Sequence, residues 1–277
     1  MIGLVTDSSS QLPASLRDRF DVQVVPLTIV IDGQEYAEGV DLASDDFYAQ
    51  LASGALVTTA APSPGRILEA WESAAARGAT EILSIHIGSN TSATVNAVKV
   101  AVSMIEVPVL VLDTGTASFP VACCVWGAGM VIERGGTIDE AASVARAIAA
   151  EVGNVFIVGA LDLARRGGRL APGVESSGPV PVLALDGGTM EVVGEAADRD
   201  AAVSAMADYV RDRAGDRVQR VGVGHAGAQD IADDLAEALS SLPVVGETVR
   251  YEVGPSVGAH TGLGTVGCVF FPDDLVG

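Results

Sequence analysis

The chain has 277 residues, 49% of them hydrophobic and 19% charged, with a formal net charge of −20. That is ample material for one large globular domain or two smaller ones, and the acidic field repels both a nucleic-acid backbone and an anionic membrane surface. No run of about 18 apolar residues marks a membrane span, and the opening MIGLVTDSSS lacks the basic and long apolar regions of a leader, so it reads as a first strand.

A strand is predicted over 2–6 and a short helix over 12–20, with Pro13 near its start. The run VQVVPLTIVI over 22–31 reads as one strand closed by Asp32-Gly33, at a sheet edge because of Pro26. A helix over 45–51 follows, then another that Ser63 caps and Pro64 opens, continuing to Ala76. Strand 82–87, helix 95–105, strand 107–112 and a helix over 122–134 complete a strand–helix alternation that predicts a mostly parallel sheet covered on both faces. After helix 138–152 the pattern changes. An apolar segment over 155–158 and a segment over 161–166 precede two strands within 179–193, around the hairpin signal Asp186-Gly187-Gly188. Helix 200–214, strand 218–222, helix 228–239 and strands 248–253 and 265–271 follow. The expected fold class is therefore α/β, with a parallel N-terminal domain over 1–150 and a mixed-sheet domain over 151–277.

Five polar clusters fall at the ends of apolar runs, where open α/β sheets gather ligands. They are Thr6-Asp7-Ser8-Ser9, Thr58-Thr59, the loop from Gly88 to Thr94, the run Arg165-Arg166-Gly167-Gly168-Arg169, and the segment from Gly258 to Gly264. The stretch EILSIHIGSNTSAT over 81–94 is the most informative. A strand empties into Ser89, Asn90, Thr91, Ser92 and Thr94 at a helix start, where unpaired N–H groups and hydroxyls suit an anion. It holds neither a Lys nor a nucleophile with an obvious base, which favours holding an anionic head group over transforming it. Asp7 fits a turn or cap better than a ligand contact, whereas Thr59 and Ser92 fit either reading.

His260 lies between glycines, where backbone can approach a ligand closely, but no Cys or Ser pairs with it by a readable spacing, so acyl-transfer chemistry is disfavoured. His86 lies inside an apolar strand and His225 at a strand end. Without an HxxxH or HxH spacing no zinc site is indicated. Cys123, Cys124 and Cys268 have no metal spacing and read as buried thiols of a reducing cytoplasm. Arg165 and Arg166 complement a helix C-terminus, while Arg169, beyond the glycines, suits a phosphate or an acidic partner. Gly222 to Gly227 spells G-x-G-x-x-G, but late in the chain, with the acidic ribose partner required near 242–247, and no P-loop is present.

Together these clusters resemble the DegV family of bacterial fatty-acid-binding proteins over nearly the whole chain. The resemblance is carried by VTDSSSQLP over 5–13, VPLTIVIDGQEY over 25–36, TTAAPSPG over 58–65, IGSNTSATVNA over 87–97, LDLARRGGRL over 161–170 and GAHTGLGTVG over 258–267. It implies two α/β domains with a long-chain fatty acid between them. The protein would be a non-catalytic carrier that presents the acyl carboxylate to a separate fatty-acid kinase and carries the acyl phosphate onward, with no cofactor or metal of its own. By motif position Thr59, Ser92 and His260 would hold the carboxylate, and Thr261, Gly262, Ser89 and Thr94 would frame the head-group pocket. Arg169 would face the kinase or the new phosphate. The motifs depart from the family pattern at Ala60, Ala61, Gly88, Ala93 and Leu263, and in DTGTASFP over 113–120. From the residues alone a second reading stands beside this one: a small-molecule transferase or phosphate-handling α/β enzyme using Arg169 and the Gly88–Thr94 loop.

Overall fold

The computed structural model describes residues 1–168, 170–173, 178–186 and 188–277. Arg169, assigned to a phosphate or partner contact, lies outside the described residues, as does Gly187 of the predicted hairpin turn.

Four parallel strands form the first sheet, in spatial order Gln23–Val25, Ile2–Asp7, Glu81–His86 and Val109–Asp113. Helices Pro64–Ala76 and Thr94–Ala101 cover one face, and Phe119–Glu133 and Ile138–Glu151 cover the other. The latter pair also packs against a six-stranded mixed sheet, ordered Thr189–Ala196, Val180–Asp186, Gly153–Ile157, Val266–Pro272, Gln219–His225 and Val245–Glu252. Helices Arg199–Ala214 and Gln229–Ser240 close that sheet's far face. The result is five layers, helix, sheet, helix, sheet, helix, with the parallel sheet drawn from the N-terminal part and the mixed sheet from the C-terminal part.

The central layer explains the most apolar helix. Phe119–Glu133 meets a sheet on each side, so every residue from Phe119 to Met130 is buried. The largest core cluster runs through it, from Leu4 and Ile85 by way of Trp126 to Tyr251 and Phe271. Cys123 and Cys124 lie within this helix and Cys268 on the mixed sheet, all buried and unpaired. Burial pushes the Cys124 thiol up to about 12. Local signals set the helix starts: Ser63 Oγ accepts the Arg66 N–H at 3.3 Å ahead of Pro64, and Thr137 and Glu140 form a reciprocal capping box. Among the described residues no helix is long and apolar enough to cross a membrane.

Three local expectations are corrected. The run over 22–31 is two strands, because Pro26 has no N–H to continue the parallel ladder. Gln23–Val25 is indeed at the edge of the parallel sheet, but Thr28–Ile31 leaves it for a three-stranded antiparallel sheet between Gln34–Ala37 and Val57–Ala60. Leu27 bridges the break, its N–H donating to Ser8 Oγ at 2.9 Å and its carbonyl accepting from the Glu38 N–H at 3.0 Å. Thr58 and Thr59 therefore lie on a strand, with Thr59 opposite Ile29. Finally, the glycine-flanked segment around His260 is the end of a helix, Pro255–Thr261, opened by Pro255 and stopped by Gly262 at φ 80°.

Candidate functional site

A cavity of about 370 Å³ lies where the three-stranded sheet, the Gly88–Thr94 loop and the six-stranded sheet meet. Its size falls within the range of roughly 300–1,000 Å³ for small-molecule sites. Leu27, Ile87, Phe156, Met190, Val257 and Val269 give it an apolar lining, and Ser9, Thr59, Ser92, Ser256, His260 and Thr261 contribute the polar part. His260, on the last turn of its helix, brings Nε2 to 3.4 Å from Thr59 Oγ1 across 201 positions of sequence. Which of the two donates depends on the imidazole tautomer.

Of the residues proposed from sequence for the head group, Thr59, Ser92, His260 and Thr261 line this cavity, while Ser89, which is exposed, and the buried Thr94 and Gly262 do not. Thr94 is fully buried, its hydroxyl 2.8 Å from Ser92 Oγ, which also accepts the Thr94 N–H at 3.2 Å. Thr94 thus orients Ser92 at the start of helix Thr94–Ala101. The Ser89 N–H donates to Asp113 Oδ1 at 3.1 Å, a carboxylate that also accepts the Gly115 N–H. Partial burial would raise the Asp113 pKa, but these bonds outweigh it and hold the group below its ordinary range. Gly262 turns the chain away, and a side chain there would meet Ala160. Arg165 and Arg166 occupy the last turn of helix Leu161–Arg166, where Arg165 pairs with Asp162 at 2.5 Å.

Two departures from the family pattern are coupled. A Cβ on Gly88 would stand 2.6 Å from the Gly115 carbonyl carbon, and the Gly88 N–H donates to the Thr116 carbonyl at 2.7 Å. The close approach of the 113–120 loop thus requires glycine at 88. Ala93 has φ −76°, which any residue adopts, so glycine is not needed there.

The mixed sheet admits aromatic side chains by omitting its own at Gly222, Gly224 and Gly267. Gly224 and Gly267 both line the cavity. The Tyr251 ring lies over Gly224 and the Phe119 ring over Gly222, and the two rings stack with centroids 4.0 Å apart. The G-x-G letters therefore serve aromatic packing. Between strands Gly153–Ile157 and Val180–Asp186 the ladder is registered at Phe156 opposite Leu183. Two residues further, the Asn154 side chain takes over both ladder bonds. Its Nδ2 donates to the Leu185 carbonyl at 3.0 Å and its Oδ1 accepts the Leu185 N–H at 2.6 Å. Asn154 and Leu185 stand between the cavity and a second, more polar cleft of about 710 Å³.

Sequence reasoning missed the supports of this site. Asp7 stands at the N-cap position of the turn Ser8–Ser10, as expected, but its side chain does not cap that turn. Fully buried, its Oδ2 accepts from the Ile87 N–H and from His86 Nδ1, each at 3.0 Å, and its Oδ1 accepts from Ser9 Oγ. His86 Nε2 lies 2.7 Å from Ser84 Oγ, which accepts Trp71 Nε1–H at 3.0 Å. The order Ser84, His86, Asp7 has the look of a nucleophile relay, but Ser84 and His86 have no exposed surface and neither lines the cavity. The chain acts as a strut that fixes two wall residues, Ser9 and Ile87.

Glu38 is the second support. It is 6% exposed, and it accepts from Ser8 Oγ and, at 2.8 Å, from the Ser256 N–H. Burial pushes its carboxyl above the ordinary 4.5, and these hydrogen bonds offset only part of the rise. The folded state thus holds this proton more tightly than the unfolded chain. The resulting stability is fully present below the ordinary carboxylate range and is lost as pH rises through the folded value. In urea titrations across that window, Glu38→Gln is expected to gain on the wild type as pH rises. A difference constant with pH would refute the raised carboxyl.

The layers and the cavity define an α/β protein that closes an apolar chamber, with hydroxyl and imidazole groups in its wall, at the seam of two sheets. The chain belongs to the DegV family: the family model described as "Uncharacterised protein, DegV family" matches residues 1–273. It is similar to a DegV domain-containing protein of Streptomyces coelicolor, 34% identical over 273 residues, 97% of each chain. A DegV domain-containing protein of Mycobacterium tuberculosis is 31% identical over 273 residues, 96% of each chain. The solved structure of a fatty-acid-binding DegV family protein from Thermus thermophilus matches with a TM-score of 0.89 at 29% identity, over 98% of this chain and 99% of that one. The fatty-acid-binding DegV family protein SAG1342 of Streptococcus agalactiae matches with a TM-score of 0.83 at 25% identity, over 99% of each chain.

Proposed function

We propose that this protein binds a long-chain fatty acid between two domains, residues 1–150 and 151–277, and presents its carboxylate to a separate fatty-acid kinase in the cytoplasm. The partner transfers the phosphoryl group: a carboxylate oxygen attacks the γ-phosphorus of ATP, the bond to ADP breaks, and this protein carries the acyl phosphate onward. It performs no catalysis of its own. The observation that supports the reading best is the meeting of Thr59 Oγ1 and His260 Nε2 on the wall of an otherwise largely apolar cavity. A carboxylate taken out of water needs several donors, since an unpaired buried charge is very costly. Thr59, Ser92 and His260 supply them on one oxygen while the other stays available to ATP. Arg169, by its motif position, would meet the kinase or the new phosphate.

Extraction of the purified protein followed by mass spectrometry is expected to recover a long acyl chain. Failure to recover one, together with no binding on titration, would count decisively against the reading. His260→Ala and Ser92→Ala are each expected to weaken fatty-acid binding about tenfold to a hundredfold, the loss of one hydrogen bond to a charged group. His260→Ala is the cleaner variant, because Ser92 Oγ also accepts the Thr94 N–H. Wild-type affinity in both, by titration calorimetry, would remove these residues from the site.

A further inference from the structure

Helix Pro255–Thr261 follows a strand of the mixed sheet, yet side chains from the start of the chain grip its first turn. Gln11 Oε1 accepts the Gly254 N–H, and Gln11 Nε2 donates to Ser256 Oγ at 3.3 Å. Glu38 Oε1 accepts the Ser256 N–H at 2.8 Å, while Glu38 Oε2 accepts from Ser8 Oγ. Tyr48 donates its hydroxyl to the Val253 carbonyl at 2.6 Å, and its ring fills the space a side chain on Gly258 would need. A helix has unpaired N–H groups in its first turn, and a capping side chain within the same segment can meet them at little cost. Here the acceptor is a buried carboxylate supplied from more than 200 positions earlier in the chain. It lies at the positive end of the helix dipole. About one turn further on, the same helix delivers His260 to Thr59, a residue on the strand that pairs with Thr28–Ile31.

We propose that Glu38 is the positioning residue for His260: by taking the Ser256 N–H it fixes the depth and tilt of helix Pro255–Thr261, and so sets the imidazole against Thr59 at the carboxylate-binding wall. The proposal rests on the fatty-acid reading above. Ser8 holds the other carboxylate oxygen and also accepts the Leu27 N–H, so the interruption between strands at Pro26-Leu27 and the His260 helix share one anchor. Glu38 itself does not line the cavity, so its effect on the carboxylate would pass through the helix.

The test measures the affinities of palmitic acid and of hexadecanol, which shares the chain but lacks the carboxylate. Their ratio reports the carboxylate wall, and the alcohol alone reports the apolar cavity. In Glu38→Ala the ratio is expected to fall about tenfold, as for one displaced hydrogen bond to a charged group, with the alcohol affinity little changed. Glu38→Gln keeps an acceptor for the Ser256 N–H and is expected to restore most of the ratio. Gln11→Leu, which releases the Gly254 N–H from the same turn, is expected to lower the ratio in the same direction and stands in if Glu38→Ala does not fold. An unchanged ratio in the folded variants overturns the proposal, as does an equal fall for acid and alcohol, which would mean general loosening. A wild type that binds neither ligand overturns the fatty-acid reading and the proposal with it. A wild type that prefers the acid and keeps that preference in Glu38→Ala overturns the proposal alone.

Discussion

Each methylene added to a saturated fatty acid is expected to tighten its binding about fourfold until the chain fills the cavity, after which affinity levels off. The slope follows from about 0.8 kcal/mol for each CH₂ taken out of water. Over half a dozen carbons it exceeds any effect expected of a single head-group residue. The lining supports such a slope because Leu27, Ile87, Phe156, Met190 and Val269 offer the chain no hydrogen bonds and little beyond exclusion of water. Asn154 and Leu185, their polar groups spent on one another, stand at the border with the polar cleft, a natural stop for an apolar tail. Val257→Trp tests the location. Val257 is a half-buried wall residue on the His260 helix, and an indole there would occupy volume the acyl chain needs. Long acids are expected to lose about tenfold or more in affinity, and short acids much less. Affinities independent of chain length in the wild type, measured over a homologous series, would sink the lipid reading whatever the polar residues do.

The fold was legible where one element carried its own signal. The parallel sheet followed from apolar runs alternating with helices, helix Pro64–Ala76 from Ser63 and Pro64, and the hairpin from Asp186 and the glycines after it. The three-stranded sheet was not, because Gln34–Ala37 and Val57–Ala60 are four residues each with two adjacent polar residues that break the alternation of a half-buried strand, and their stability comes from pairing with Thr28–Ile31. The helix that bears His260 was hidden for a similar reason. Its seven residues include Gly258, a poor helix former, and it holds because Glu38, Gln11 and Tyr48 grip its start. Hydroxyl and imidazole types marked Thr59, Ser92 and His260 as candidates. Nothing local distinguished them from Ser89 and Thr94, which sit in the same run but turn to Asp113 and to Ser92. Orientation within a loop depends on the neighbouring 113–120 segment, and a linear pattern does not encode it. Asp7 does sit at a turn start and outside the cavity lining, but its burial was not legible, because a carboxylate after a strand usually finds water or a helix end. Its real partners include an imidazole 79 positions away.

That buried carboxylate yields the largest expected loss of stability. Replacing Asp7 by alanine is expected to cost about 3 kcal/mol or more, read as a lower urea midpoint with unchanged slope. The carboxylate serves three donors, and alanine serves none. Ser9 can turn its hydroxyl toward the cavity it lines, but the Ile87 N–H and His86 Nδ1–H have no such escape, because both are sealed between the parallel sheet and its helices. Each stranded donor forfeits its desolvation cost of about 1–3 kcal/mol. Beyond them, His86 loses the group that fixes its tautomer, which frees its contact with Ser84 and through it the Trp71 indole. Asp7→Asn separates hydrogen bonding from charge. Its carbonyl oxygen can keep both the Ile87 and the His86 donor, with the amide facing Ser9, so it is expected to lose less than half as much. Equal losses in the two variants would assign the effect to the charge, and a neutral Asp7→Ala would refute the strut. Since Ser9 and Ile87 are wall residues, the alanine variant is also expected to weaken acyl binding, and the loss of affinity should persist well below the temperature at which it unfolds.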